Sequence, residues 1–494
     1  MRPVARNALY SVCQVIVSAI TLFLLYRFLV LVLGIKQLGI WSVVISAASA
    51  NKIGEVGLSG GMVKFVSKYL STTDTKAVSE IIQTGALTIV GSVGVFLFAT
   101  YPVILVVLKH ILPDTAYVLA SGILPIALVT LWTNSVSGIF ISSLEGCQRY
   151  DRRSVLMISS NFVLLLSAFF WVPRLGLNGV AWAYLIQSIF NLAISWIFLK
   201  MELRFLPLLP KRWRLSRFRE MLTYGANVQI AMIIGMLYEP TTKIILSKFG
   251  GLAMTGYYEM ANRMILQFRG LLVSANQVVV PVIADMKENA PDRIFRYFED
   301  TYEIFLFLSI PFFMNVILMV PAISEIWLGT VEPAFIIFAI MLSIGWLINT
   351  LNTPAYFIFL GIGRLRWNTI SHIVIGTMNI VLNLALGYFF GGYGVVAGWV
   401  FSLAMGSMII TIAYLKEKRR SLKFLFPPSS MALIAASLIG TAVNFMVFTQ
   451  FYPVGGSIVS GVLSAAGFTT LVLCLFWSHP VRKKLLNVLK RESI

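Results

Sequence analysis

The chain has 494 residues, of which 58% are apolar and only 12% charged, and its mean hydropathy is +0.85. A soluble domain of this size would need about a quarter charged residues to cover its surface, so a soluble fold is excluded. The net charge of +19 follows a membrane-orientation pattern described below, which removes the reading of a nucleic-acid footprint.

Apolar runs long enough to cross a hydrocarbon core about 30 Å thick recur from end to end, whereas barrel strands would leave short alternating segments. The expected fold is an all-α polytopic membrane protein of about fourteen transmembrane helices. In chain order they fall near 8–33, 38–60, 80–108, 115–144, 153–173, 177–201, 221–247, 252–284, 297–320, 333–360, 367–390, 393–416, 431–450 and 455–477. The first is read as a retained span, because it is too long for a signal-peptide core and lacks a small-residue cleavage site.

Lys and Arg set the orientation, since basic residues in short loops stay on the cytoplasmic side. With both termini cytoplasmic, 30 of the 39 basic residues fall on that side and only Lys36, Lys109, Arg174 and Lys248 fall opposite. The expectation is a multi-pass protein of the inner (plasma) membrane. The basic tail from Val481 to Arg491 is expected to lie on anionic headgroups as an amphipathic helix.

An internal repeat runs through the chain. Gly34, Gly39, Ile40 and Trp41 recur as Gly251, Gly256, Tyr257 and Tyr258 at an offset of 217, and Gly176 to Val180 recurs as Gly391 to Val395 at 215. Arg149 maps onto Arg364. Six helices per copy keep both copies in one orientation, with substrate expected between them. The implied organisation is an N-lobe over 1–202, a basic cytoplasmic linker over 203–220, a C-lobe over 221–416, and two further helices with a basic tail over 417–494.

Eight of the charged residues inside these spans are the candidates for function, since each costs about 3 kcal/mol there unless it faces a partner or water. Arg27, Lys52, Lys243, Arg263 and Arg269 are expected to line a cationic substrate cavity. Lys52 plus 217 is Arg269, and Arg27 maps within one residue of Lys243. Glu55, Glu239 and Glu259 are the candidates for proton or sodium coupling, with Glu239 beside Pro240, where a helix should bend. The competing structural reading pairs Glu239 with Lys243, Glu259 with Arg263 and Lys52 with Glu55 along single helix faces. Arg27 and Arg269 then remain without a local counter-charge.

No catalytic or metal site is expected. His110, His372 and His479 are scattered, the three cysteines show no metal-ligand spacing, and no phosphate-cradling P-loop occurs. Gly57 with Gly61, Gly387 with Gly391 and Gly394 with Gly398 fit the small-residue spacing of close helix contacts.

Gly39-Ile40-Trp41-Ser42, Gly57-Leu58-Ser59, Val63-Lys64-Phe65-Val66, Gly146 with Arg149-Tyr150, Gly179-Val180-Ala181, Gly256-Tyr257-Tyr258 with Ala261, Pro281, and Gly394-Val395-Val396-Ala397 together resemble polysaccharide-biosynthesis flippases of the MATE-like superfamily. The resemblance covers roughly residues 5 to 416. It implies alternating access, with a polyprenyl-diphosphate-linked oligosaccharide carried from the cytoplasmic to the outer leaflet for cell-surface polysaccharide biosynthesis. The implied partners are that lipid-linked cargo, membrane lipids and polysaccharide assembly proteins, with no nucleic acid and no cofactor beyond a coupling H+ or Na+. A diphosphate needs cations that stay charged in a desolvated cavity, which arginine supplies. The alternatives are an ion-coupled exporter of organic cations, which needs the opposite cavity sign, and a membrane glycan polymerase or glycosyltransferase, which needs larger extramembrane loops than this chain has. A purely structural membrane protein leaves the buried charges unexplained.

Overall fold

A computed structural model describes residues 3–55, 58–223, 226–274, 279–426, 428–479 and 481–482. The expected amphipathic tail from residue 483 onward, the side chain of Lys52 and the Gly57 end of one small-residue pair lie outside the described residues. The helices are α1 (Pro3–Leu33), α2 (Ile35–Ser49), α3 (Leu58–Ser71), α4 (Thr75–Ile111), α5 (Asp114–Gly146), α6 (Tyr150–Leu175), α7 (Leu177–Glu202), α8 (Leu215–Thr223) and α9 (Ala226–Phe249). They continue as α10 (Gly251–Ser274), α11 (Val279–Asn289), α12 (Arg293–Leu328), α13 (Pro333–Leu351), α14 (Thr353–Ile362), α15 (Arg366–Glu417) and α16 (Pro428–Ser478).

The all-α membrane architecture is as expected. Nine of the described helices are long and apolar enough to cross a membrane, and Ile35–Ser49 and Ser430–Met446 are shorter apolar helices. Among the described residues every predicted span falls on helix; the spans expected over 221–247 and 252–284 each include residues outside that set, and those over 38–60 and 333–360 are broken within it. The span expected over 38–60 stops at Ser49 and gives way to a tight 3-10 turn, Ala50–Glu55. There the Asn51 side-chain amide donates to the Ala48 carbonyl at 2.9 Å and its oxygen accepts from Thr100 Oγ1 at 2.5 Å. Such a local side-chain bond competes with the helix ladder and ends it. The span expected over 333–360 is divided at Asn352 into α13 and α14, where Thr353 and Pro354 open the second helix.

The chain divides into two compact units, Met1–Gly256 and Tyr257–Ile494. In the first, α7 packs against both α5 and α6, and α1 lies on α6; α9 joins this unit by packing on α2 and on the 3-10 turn. In the second, α12 packs against α13 and α16, and α13 against α15.

The repeat seen in the sequence recurs in backbone geometry. Gly34 and Gly251 take left-handed φ values of 80° and 79°, and Gly176 and Gly391 take 57° and 60°. These are conformations that favour glycine. At 215 residues' offset, a Cβ on Gly179 would stand 2.4 Å from the Trp171 carbonyl oxygen and one on Gly394 would stand 2.0 Å from that of Leu386. Corresponding glycines therefore let corresponding helices touch backbone to backbone in each copy.

Gly39 and Gly256 make a reciprocal seam. A Cβ on Gly39 would lie 2.0 Å from the Leu252 carbonyl oxygen, and one on Gly256 would lie 2.4 Å from that of Ile35. Since 35 plus 217 is 252, each glycine meets the residue equivalent to the one its counterpart meets. This close approach joins α2 to the first turns of α10.

Candidate functional site

The helix period brings the i,i+4 charges together. On α9, Lys243 is buried, with 1% of its side chain exposed, and its ammonium donates to Glu239, whose side chain is 35% exposed. α9 continues as one helix through Pro240, so the carboxylate sits on an unbroken element. On α10, Arg263 Nε donates to Glu259 at 2.9 Å, with Glu259 the buried partner. Both pairs bury one charge against a partner that is about one-third exposed, and the counter-charge at hand lowers the cost of burial.

Of the other predicted residues of the first unit, Glu55 and Lys52 sit on the 3-10 turn that packs on α9, and Arg27 sits on α1. Glu55 ends the 3-10 turn and accepts from Ser135 Oγ of α5 at 2.6 Å. Lys52 lies on the same turn. Arg27 is half-buried on α1 and makes no ion pair with a described residue.

Arg269 has a different environment. Its Nε and Nη2 both donate to Asn349 Oδ1, at 3.2 and 2.7 Å, and its guanidinium lies 4.6 Å from the centre of the Trp346 ring. Asn349 is itself fixed, because its Nδ2 donates to Ser407 Oγ at 2.7 Å. A planar guanidinium stacked on an aromatic face and held along one edge keeps its charge and has little rotamer freedom left to lose. Nη1 donates no hydrogen bond within this set.

Arg269 opens onto a cavity of about 240 Å³ within the second unit, lined also by Asn349, Asn352, Tyr356, His372 and Ser407. Amides, hydroxyls and an imidazole share the lining with the apolar Val273, Phe357, Ile375 and Ile410, and no carboxylate is among the lining residues. Sequence reasoning placed Arg269 but missed these partners, and it set His372 aside as isolated. Amides within an apolar run, Asn349 and Asn352 in Trp346-Leu347-Ile348-Asn349-Thr350-Leu351-Asn352, were the available signal, since buried polar groups are seldom left without partners. Among the described residues, no group of three or more His, Cys, Asp or Glu side chains could hold a metal ion.

Apolar helices of membrane-spanning length, charges inside them and a two-copy repeat define a multi-pass membrane protein of transporter type. The chain belongs to the polysaccharide biosynthesis protein family, whose model matches residues 4–287. A search of curated proteins finds no match. Among solved structures, the chain is similar to the lipid II flippase MurJ in an inward closed conformation, with 15% identity, a TM-score of 0.72, and 94% of this chain and 98% of that one covered. It is also similar to an inward-facing multidrug resistance MATE family transporter of the MOP superfamily, at 14% identity and a TM-score of 0.71, covering 80% of this chain and 95% of that one. A third similar structure is a MOP superfamily transporter from Pyrococcus furiosus whose binding pocket is described as reversed in polarity. Its identity is 14% and its TM-score 0.59, with 83% and 96% covered. These likenesses carry the fold.

Proposed function

We propose that the protein is a membrane flippase that moves a polyprenyl-diphosphate-linked oligosaccharide from the cytoplasmic to the outer leaflet by alternating access, in the making of cell-surface polysaccharide. The observation that carries this reading is Arg269. It is a fixed guanidinium over the Trp346 ring, facing a cavity where amides and hydroxyls stand among apolar side chains, with no carboxylate in the lining. Such a site suits an anion that also bears hydroxyl groups, and charge-assisted bonds to phosphate are the strong ones. Family membership supports a polysaccharide cargo, and the likeness to a lipid II flippase supports a lipid-linked one.

In this reading Arg269, with Arg27 and Lys52, contributes the positive field that holds the diphosphate, and Lys243 and Arg263 join it as their pairs with Glu239 and Glu259 open. Glu55, Glu239 and Glu259 offer the groups through which H+ or Na+ would drive the cycle. Both termini and the linker 203–220 face the cytoplasm of the inner-membrane protein, and assembly enzymes at that membrane supply and consume the cargo. The protein itself makes and breaks no covalent bond. The second reading, export of organic cations, draws on the MATE likeness. It is disfavoured because Glu239 and Glu259 are already paired with cations.

The test is surface polysaccharide made by a deletion strain carrying Arg269 variants at matched membrane abundance. Arg269→Ala should lose about 1.5–3 kcal/mol of cargo binding, about ten-fold to over a hundred-fold in affinity. Arg269→Lys should keep part of it, and Arg269→Glu should be worse than alanine. Wild-type polysaccharide from the alanine variant, or dye resistance that depends on Glu239 and Glu259, refutes the anionic cargo.

A further inference from the structure

The first unit carries an apolar groove of about 410 Å³ between α4, α5 and α7, roofed by Leu209 and Pro210 of the linker. Val90, Val136, Phe140, Leu192 and Trp196 line it. Phe140 and Trp196 each stand six residues before the ends of their helices at Gly146 and Glu202. At 1.5 Å per residue, that is about 9 Å inside the helix ends, the depth of the first acyl carbons below a headgroup. The groove is open sideways, since Ala193 and Leu209 are exposed.

The linker over this groove is built in place. Gln83 and Thr84, polar side chains buried in the apolar helix α4, accept from the linker backbone. Gln83 Oε1 accepts from the amides of Lys211 and Arg212 at 3.0 and 3.1 Å, and Thr84 Oγ1 accepts from that of Arg214 at 3.2 Å. Two indoles complete the attachment: Trp213 Nε1 donates to Thr88 Oγ1 and Trp196 Nε1 to the Leu208 carbonyl, each at 3.0 Å. The strap thus holds cations at the groove's mouth. Lys211 and Arg212 directly follow Pro210, and Lys200 stands one turn beyond Trp196 on the same helix face.

Those three cations make no ion pair with a described residue, and the nearest carboxylates in sequence are engaged elsewhere. Glu202 is bound by Arg149 and Arg152, and Glu220 by Lys68 and Arg217; Glu80, on the helix beneath the linker, is bound by Arg214 and Arg217. An apolar slot with an unneutralised cationic rim matches a ligand with one apolar chain and one anionic head. Trp213, exposed beside the cations, is a residue type that settles at a membrane interface.

We propose that this groove is a binding site for an anionic phospholipid of the adjoining leaflet, with one acyl chain against Phe140 and Trp196 and the phosphate on Lys200, Lys211 and Arg212. The bound lipid fastens the linker to α4. Only the choice of leaflet rests on the orientation proposed above; the binding itself does not depend on the cargo or on the direction of transport.

The experiment uses the full-length protein purified in a neutral detergent, with lipid retention read by native mass spectrometry and melting read with phosphatidylglycerol or phosphatidylcholine of identical chains. The wild type should retain phosphatidylglycerol preferentially and melt higher with it, because a ligand that binds only the folded state raises its stability. Lys211→Gln with Arg212→Gln should weaken that binding about thirty-fold, about five-fold per charge squared over two charges. Ala193→Trp, which fills the groove and leaves every charge, should remove it while melting as the wild type does in phosphatidylcholine. Equal retention of the two lipids, undiminished phosphatidylglycerol binding by either variant, or its displacement by an equimolar polyprenyl phosphate overturns the assignment. Orientation is tested separately by labelling, so the two failures are distinguishable.

Discussion

Replacing Gly39 with alanine tests the reciprocal seam between α2 and the first turns of α10. The added Cβ would stand 2.0 Å from the Leu252 carbonyl oxygen, whereas carbon and oxygen normally come no closer than about 3.3 Å. α2 and the start of α10 must then separate by about 1.3 Å, because a backbone oxygen and a Cβ have no rotamer with which to yield. Overpacking of this kind costs about 1–3 kcal/mol. If the cost falls only on the closed arrangement, the parted one gains about 5- to 150-fold in population. The measurement is the rate at which a cysteine replacing the buried Ser42, in a background freed of native cysteines, reacts with an impermeant maleimide added outside. Gly39→Ala should raise that rate within this range, Gly256→Ala should act in the same direction, and Gly122→Ala, whose Cβ would meet nothing within 4 Å, should not. An unchanged rate and melting temperature in both seam variants refutes the close contact at the seam.

Labelling of a cysteine at Ser216 from the inside only, and of one at Glu332 from the outside, is expected from the 30 to 4 distribution of basic residues; the reverse overturns the topology. Glu239→Gln should abolish any dependence of transport on the ion gradient while the protein still inserts, and a surviving gradient response reduces Glu239 to the partner of Lys243. Burial raises the affinity of Glu220 for a proton, but hydrogen bonds from Tyr69, Lys68 and Arg217 outweigh it and hold the carboxyl below its ordinary 4.5. A depressed carboxylate adds stability that is complete above its unfolded value and disappears as pH falls through the folded one. The melting temperature of the wild type should therefore fall more steeply below pH 4.5 than that of Glu220→Gln, and parallel curves would sink this.

Membrane burial made much of the fold readable from composition. Backbone groups in hydrocarbon must bond within their own segment, so apolar length translates directly into helix. The i,i+4 ion pairs Glu239 with Lys243 and Glu259 with Arg263 were readable for a related reason: helical spacing alone places those side chains together. The repeat glycines were readable as a pattern, since a left-handed φ or a backbone contact excludes other residues at both copies.

Contacts distant in sequence were not readable. Arg269 meets Asn349 across 80 residues, Glu55 meets Ser135 across another 80, and Gln83 holds the linker amides across 128 and 129. Hydropathy ranks an amide in a span as an interruption and carries no information about which charge it faces. The break at Ala50–Glu55 was missed for the same reason, because Asn51 ends the helix with help from Thr100 on another one. Sequence by itself determined a helical membrane protein with a duplicated core and charges it could not leave in lipid, because those follow from the cost of exposing polar groups to hydrocarbon. Only the tertiary structure decided which charges were neutralised, which one faced a cavity, and where a strap closed an apolar groove, because those depend on side chains brought together from separate helices.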